Sequence, residues 1–317
     1  MAGGGALLGY IIRRLLWGVL TLWLTVTLTF FTLGITFRLA SGSSLLEVLR
    51  GQVSSVGPSQ GGPAYELQGS PLRQYAAFLW GTGRLDWGDS VSQGAPVRQV
   101  LLERFPVTGK IGLISFALAV MLGVPLGIYA AVRGGVVDFA ISWTSAFVYS
   151  FPSPVLMTLL LALSVYTIGI FPVGMAGADW RGYLLPCLVL GLSAGGYIAR
   201  ITRASVADEL HRDYVRTARA KGLRKLLIYR RHVLRNALGP VLAALGPTLG
   251  LLLAGSFPVE YAYEIYGTGR LLLDGFAQQD FPLILGGVTL YTVLVLGSNL
   301  LWEVVASLID PRLRAGG

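Results

Sequence analysis

Long apolar stretches, broken by short polar connectors, dominate the 317-residue chain. The first uninterrupted run is Leu15 to Phe37, and at 23 residues it is long enough to cross a bilayer, which takes about 20 residues. Five more follow: Val107 to Val132, Asp138 to about Tyr166, about Leu184 to Ala204, Leu238 to about Val259, and about Leu283 to Leu308. The pattern predicts an all-α polytopic membrane protein with six transmembrane helices. The first run follows Arg13 and Arg14 and exceeds the apolar core of a signal peptide, so it reads as an uncleaved helix. Pro125 in the second run is compatible with a bilayer helix, because neighbours re-satisfy the backbone. The third run is interrupted by Phe151-Pro152-Ser153-Pro154, and two missing backbone donors predict a kink or local unwinding there. Gly191, Gly195 and Gly196 in the fourth run suit close helix approach.

The polar connectors divide the chain further. Residues 1–37 are expected to hold an inner N-terminus and the first span, and residues 38–106 a separate outer segment. The outer segment is rich in Gly, Ser, Pro and Gln and is nearly neutral, with six Arg against five acids. Within it Leu45–Arg50, Arg73–Trp80 and Val97–Arg104 read as short helices. Trp80 and Trp87 read as packing residues of this segment rather than as an interface belt. Residues 107–308 form a five-helix core containing a basic loop, 205–237, and residues 309–317 form a tail.

Charge sharpens this picture. Only 13% of residues are charged, mean hydropathy is +0.65, and the net charge is +9. Eleven of the 25 Lys and Arg fall between Arg200 and Asn236, against Asp208, Glu209 and Asp213. That local excess of eight lies in one loop between two spans, so membrane orientation explains the basic balance better than nucleic-acid binding. Lys and Arg concentrate on the segments that six spans place inside, so both termini are expected in the cytoplasm. The lone Cys187 lies in an apolar run, which excludes an internal disulfide framework and a cysteine metal cluster.

Within the basic loop, Arg212 to Lys221 suits a short helix, with Arg212, Arg216 and Arg219 on one face and Tyr214, Val215 and Ala218 on the adjoining one. Gly222 fits the left-handed turn that ends a helix, and a second helical stretch begins at Leu223. Periodicity alone also fits a loop that fixes orientation and touches lipid headgroups. No phosphate-binding G-x-x-x-x-G-K-[ST] string occurs, so the chain itself is not expected to hydrolyse ATP. The string Gly191-Leu192-Ser193-Ala194-Gly195 matches a nucleophile elbow but lies inside an apolar span, and neither His211 nor His232 lies near it in the topology. Helix packing is therefore preferred to a protease nucleophile. No span has a central carboxylate, which disfavours an ion-coupled secondary transporter.

The run DYVRTARAKGL, followed by YRRHVLRNAL, resembles the cytoplasmic loop signature of binding-protein-dependent ABC importer permeases in its oligopeptide/dipeptide form. The opening YIIRRLLWGVLTLWLTVTLTFF is similar to the first helix of the B-type subunit, and VEYAYEIYGTGRLLLDGFAQQDFPLILGGV and LIDPRLR to its last loop and tail. The Glu and the Leu-Pro of the wider family signature are absent, and Arg38-Leu39-Ala40-Ser41-Gly42 stands where the family has Pro-Gly-Asp. The resemblance implies a type I ABC importer permease fold in the cell (inner) membrane. It implies a non-catalytic subunit that carries di- or oligopeptides or another solute such as a nickel complex. It further implies two cytoplasmic ATPase subunits that bind the ATP and Mg, a second permease subunit completing the pore, and an external substrate-binding protein. Asp213, Tyr214, Arg216, Thr217, Ala218, Arg219, Lys221 and Gly222 would then form a coupling helix and its hinge, with Ala218 permitting close approach of the ATPase.

Overall fold

A computed structural model describes residues 3–40, 71–163 and 181–309. In chain order the helices are α1 (Gly3–Ala40), α2 (Pro71–Gly83), α3 (Val97–Arg133), α4 (Gly135–Ser150), α5 (Ser153–Leu161) and α6 (Arg181–Leu210). They continue as α7 (Asp213–Ala220), α8 (Lys225–Ile228), α9 (Leu234–Ala254), α10 (Phe257–Ala262), α11 (Thr268–Ala277) and α12 (Phe281–Ile309). A two-residue hairpin pairs β1 (Asp89–Ser90) with β2 (Ala95–Pro96). Five helices are long and apolar enough to cross a membrane among the described residues, and six if the bent pair α4 and α5 counts as one span. That break lies at Phe151-Pro152 and turns the chain by 97°. Many large apolar side chains on these helices are exposed, Met121 at 71% and Trp143 at 63% among them, as a lipid-facing surface requires.

The chain divides into two compact units. The smaller comprises Ile12–Thr108 and Tyr266–Leu294. Its core gathers Val26, Phe30 and Leu33 of α1, Phe78 of α2, Trp87, Val97 and Leu101, and Phe281, Leu283 and Ile284 of α12. Phe30 stacks on Phe78 at 5.6 Å and meets Phe281 edge-on at the same separation. Asp280, fully buried, precedes α12 and accepts the Leu283 N–H at 3.2 Å, an N-terminal cap. Its other oxygen takes Ser90 Oγ at 2.5 Å, Ser92 N at 2.9 Å and Ser92 Oγ at 2.7 Å. One carboxylate thereby fixes the hairpin turn to the start of the last helix.

Two expectations for the outer segment change here. Val97–Arg104 is not a separate short helix but the first turns of α3, which runs unbroken through Pro106 to Arg133. At 37 residues it is about 55 Å long against a hydrocarbon core of about 30 Å, so a polar extension past the apolar part is a geometric necessity. Trp87 is a packing residue at 7% exposure, but Trp80 is 67% exposed, with the Arg84 guanidinium 4.5 Å above its ring. Leu45–Arg50 lies outside the described residues.

The larger unit comprises Met1–Ile11, Gly109–Ile265 and Val295–Gly317. Here α3 and α6 cross almost backbone to backbone. A Cβ built on Gly123 would come within 2.7 Å of Gly195 O, and one on Gly127 within 2.5 Å of Ala199 O. On α6's other side, Gly196 faces the backbone of Ser145 on α4, and Tyr149 stacks on Tyr197 at 5.3 Å. Ser193 lies within α6, in mid-helix, so the elbow-like string is helix. Cys187 is buried at 1% exposure. The second basic helix expected from Leu223 is also not separate. α8 passes through a π-helical turn, Tyr229–Val233, directly into α9. Leu234 N donates to Tyr229 O across that turn, a local widening of the ordinary helix.

Candidate functional site

The basic loop between α6 and α9 folds as a helical elbow in the larger unit. α6 ends at Leu210, two residues turn the chain, and Arg212 holds extended geometry before α7. Val215 and Ala218 face inward and are buried with Val206, Ile228, Val233 and Ala237, while Ile128, Ala131 and Val132 of α3 pack alongside. This anchors α7 simultaneously to the ends of α3, α6 and α9. Ala218 is thus turned toward the chain's own helices, which corrects the expectation that its small side chain serves the outer docking face.

Asp213, Arg216, Thr217, Arg219 and Lys221 remain exposed. Arg216 reaches Asp213 at 3.6 Å, but with 74% and 95% of the two side chains exposed this pair is weak, and the guanidinium stays available. Thr217 Oγ1 donates to Asp213 O at 3.0 Å within the helix. Arg212 lies just before the helix and approaches Glu209 at 3.9 Å, so Arg216 and Arg219 form the outward cationic pair without it.

Gly222 closes the helix with φ of 73°, a left-handed conformation that costs a side-chain-bearing residue about 1–2 kcal/mol. Gly222 N donates to Arg219 O at 3.0 Å and Leu223 N to Ala218 O at 3.3 Å, the paired bonds of a Schellman ending. A Cβ on Gly222 would meet no atom within 4 Å, so the constraint is dihedral rather than steric. Gly222→Pro, which fixes φ near −65°, is therefore expected to unwind the elbow, while Gly222→Ala leaves most of it folded. Amide exchange across 212–224 in the membrane-inserted protein measures the difference.

Tyr214 ties the elbow together. Its hydroxyl donates to the Glu209 carboxylate and accepts Asn236 Nδ2 at 3.2 Å. Burial, and then the neighbouring Glu209, push its phenol above the ordinary value, so the hydroxyl keeps its proton throughout neutral pH. Glu209 and Asn236 escaped the sequence reading; their signal was a carboxylate and an amide flanking a tyrosine in an otherwise basic loop. Tyr214→Phe removes a hydrogen bond to a charged group, an expected loss of about 2 kcal/mol of local stability. Faster amide exchange across 209–236, with global unfolding little changed, is the observable. Among the described residues no group of three His, Cys, Asp or Glu is placed to hold a metal.

Comparison with known proteins gives these features a setting. Residues 123–315 match the family model described as binding-protein-dependent transport system inner membrane component. The chain is 35% identical over 318 residues to the glutathione transport system permease protein GsiC of Pectobacterium atrosepticum, covering 97% of this chain and 99% of that one. It is 34% identical to the dipeptide transport system permease protein DppB of Bacillus subtilis over 79% of this chain and 82% of the other. The oligopeptide permease AppB of the same organism is 30% identical over 96% and 98%. In fold it is similar to a chain of the inward-facing MetNI methionine ABC transporter, with TM-score 0.54 at 17% identity, covering 67% of this chain and 97% of that one. A chain of an amino acid ABC transporter gives 0.50 at 19%, covering 68% and 94%. The chain belongs to the binding-protein-dependent transport system inner membrane component family and is a permease of an ABC importer.

Proposed function

We propose that this permease imports di- or oligopeptides, or a peptide of glutathione type, and that α7 is the coupling helix through which an ATPase subunit drives it. The carrying observation is the division of α7 into two faces. Val215 and Ala218 are locked against the ends of α3, α6 and α9, while Arg216 and Arg219 point away from the chain. A short helix so built transmits a push to three spans at once and offers cations to an acidic cleft. The elbow and both termini lie in the cytoplasm in this reading, where the excess of positive charge favours them. Two ATPase subunits hold ATP and Mg, a second permease subunit completes the pore, and an external binding protein delivers the solute. The peptide class rests on the relatives named as dipeptide, oligopeptide and glutathione permeases. Membership of the family removes the ground for the ion-coupled alternative.

The test is reconstitution of the chain with its ATPase, second permease and binding protein in vesicles, offered labelled alanine dipeptide, a labelled pentapeptide, labelled glutathione and a chelated nickel complex. ATP-dependent accumulation of one of the three peptides supports the reading. Accumulation of nickel complexes alone, or uptake by the lone chain without ATP, overturns it.

A further inference from the structure

At the end of the larger unit nearest α7, one ion pair joins α4 to α6. Asp138 lies in the first turn of α4, just after the turn at Gly134. Arg203 Nε donates to its Oδ1 at 2.8 Å and Arg203 Nη2 to Oδ2 at 2.5 Å, while Ser142 Oγ adds 3.1 Å to Oδ1. The carboxylate is largely covered, at 19% exposure against 41% for the arginine. Arg203 stands seven residues before the end of α6, and α6 leads directly into α7. Farther along, α4 meets α6 through Gly196 against the Ser145 backbone and through stacked Tyr149 and Tyr197. Those contacts are close but carry no directional bond, whereas helix association in a bilayer draws on interhelical hydrogen bonds as well as packing. A two-pronged guanidinium–carboxylate pair fixes both distance and direction.

We propose that Asp138 and Arg203 form a strap that makes α4 travel with α6, carrying the displacement of α7 to the sharp break between α4 and α5. They are positioning residues for transport, and the proposal rests on the reading of α7 as the coupling helix. Without the strap α6 moves and α4 lags, so ATP is hydrolysed without a matching opening of the route.

The experiment uses the assembled complex in vesicles with labelled alanine dipeptide and glutathione as probes. It measures solute imported per ATP hydrolysed, per assembled complex, for Asp138→Asn, Arg203→Gln and the double variant. Each single change is expected to lower that ratio about tenfold, and the double change to do no worse than the more affected single, since both break one link. A purely structural staple would reduce complex yield and leave the ratio of the surviving complexes at the wild-type value. That result, or losses that multiply in the double variant, overturns the strap. Where the single variants fail to assemble, Arg203→Lys keeps the charge without the fork, and a wild-type ratio there is equally fatal. Charge reversal at Arg216 and Arg219 separates the two layers. If it uncouples and Asp138→Asn does not, the strap alone falls; if it leaves the ratio untouched, the reading of α7 falls.

Discussion

Charge reversal at Arg216 and Arg219 together, Arg216→Glu with Arg219→Glu, is expected to lower solute uptake at least about 100-fold while leaving insertion and fold intact. The fold should survive because neither side chain builds it. Both project from α7 into solvent, and the one contact of Arg216 with Asp213 is a 3.6 Å pair between highly exposed groups. A carboxylate placed there costs the helix only a few tenths of a kcal/mol. Orientation should survive as well, since the loop's excess of eight positive charges falls but stays positive. At a partner's acidic cleft the same change turns attraction into repulsion, which costs several kcal/mol. Uptake, ATPase co-purification and cysteine labelling from either side of the membrane give three separable readouts. Normal uptake with both arginines reversed would remove the coupling role from α7.

Much of this site was legible in one dimension, for identifiable reasons. Gly222 stands out because glycine is the residue that takes a left-handed helix ending without strain, and the φ of 73° supplies the cause. The α7 faces follow from a 3.6-residue period over eight residues. The Phe151-Pro152 break follows from missing backbone donors. What could not be read are features made by distant partners. Asp280 meets Ser90 across 190 positions, and Asp138 meets Arg203 across 65. No local pattern encodes either pairing. The start of α3 was misread for another reason. Arg98, Gln99, Glu103 and Arg104 are too polar for a bilayer and so set Val97–Arg104 apart as a short helix of its own, yet a helix that outruns the bilayer must carry polar residues on its extension. The same holds for α8, whose basic start belongs to the helix that becomes α9. Ala218 was given to the partner because its size suits close approach, but size does not say which neighbour approaches.

The second large effect is expected at the crossing of α3 and α6. Gly127→Val should lower the stability of the detergent-solubilised protein by about 3 kcal/mol, because overfilled contacts cost roughly 1–3 kcal/mol and this one leaves no flexible neighbour to yield. A Cβ at Gly127 would lie 2.5 Å from Ala199 O, 2.6 Å from Thr202 Cβ and 2.9 Å from Arg203 N, all atoms on or beside the α6 backbone. Relief requires the two helices to part, and Gly123, with Gly195 O 2.7 Å from its own virtual Cβ, lies one turn away on the same seam. Parting them also displaces the helix that carries Arg203 and leads to α7, so transport should fall together with stability. Gly239 and Gly18 supply the contrast, since both lie in helices with nothing within 4 Å of an added Cβ. Alanine at either should be neutral or slightly stabilising, by up to about 1 kcal/mol, through reduced freedom of the unfolded chain. Thermal unfolding followed by tryptophan fluorescence distinguishes the cases. The Gly127 variant should melt about 8 °C earlier, and the two alanine variants at or above the wild-type midpoint. Equal midpoints for all three would mean that α3 and α6 do not touch as closely as the crossing requires, and the rigid path from the elbow into the spans would lose its first joint.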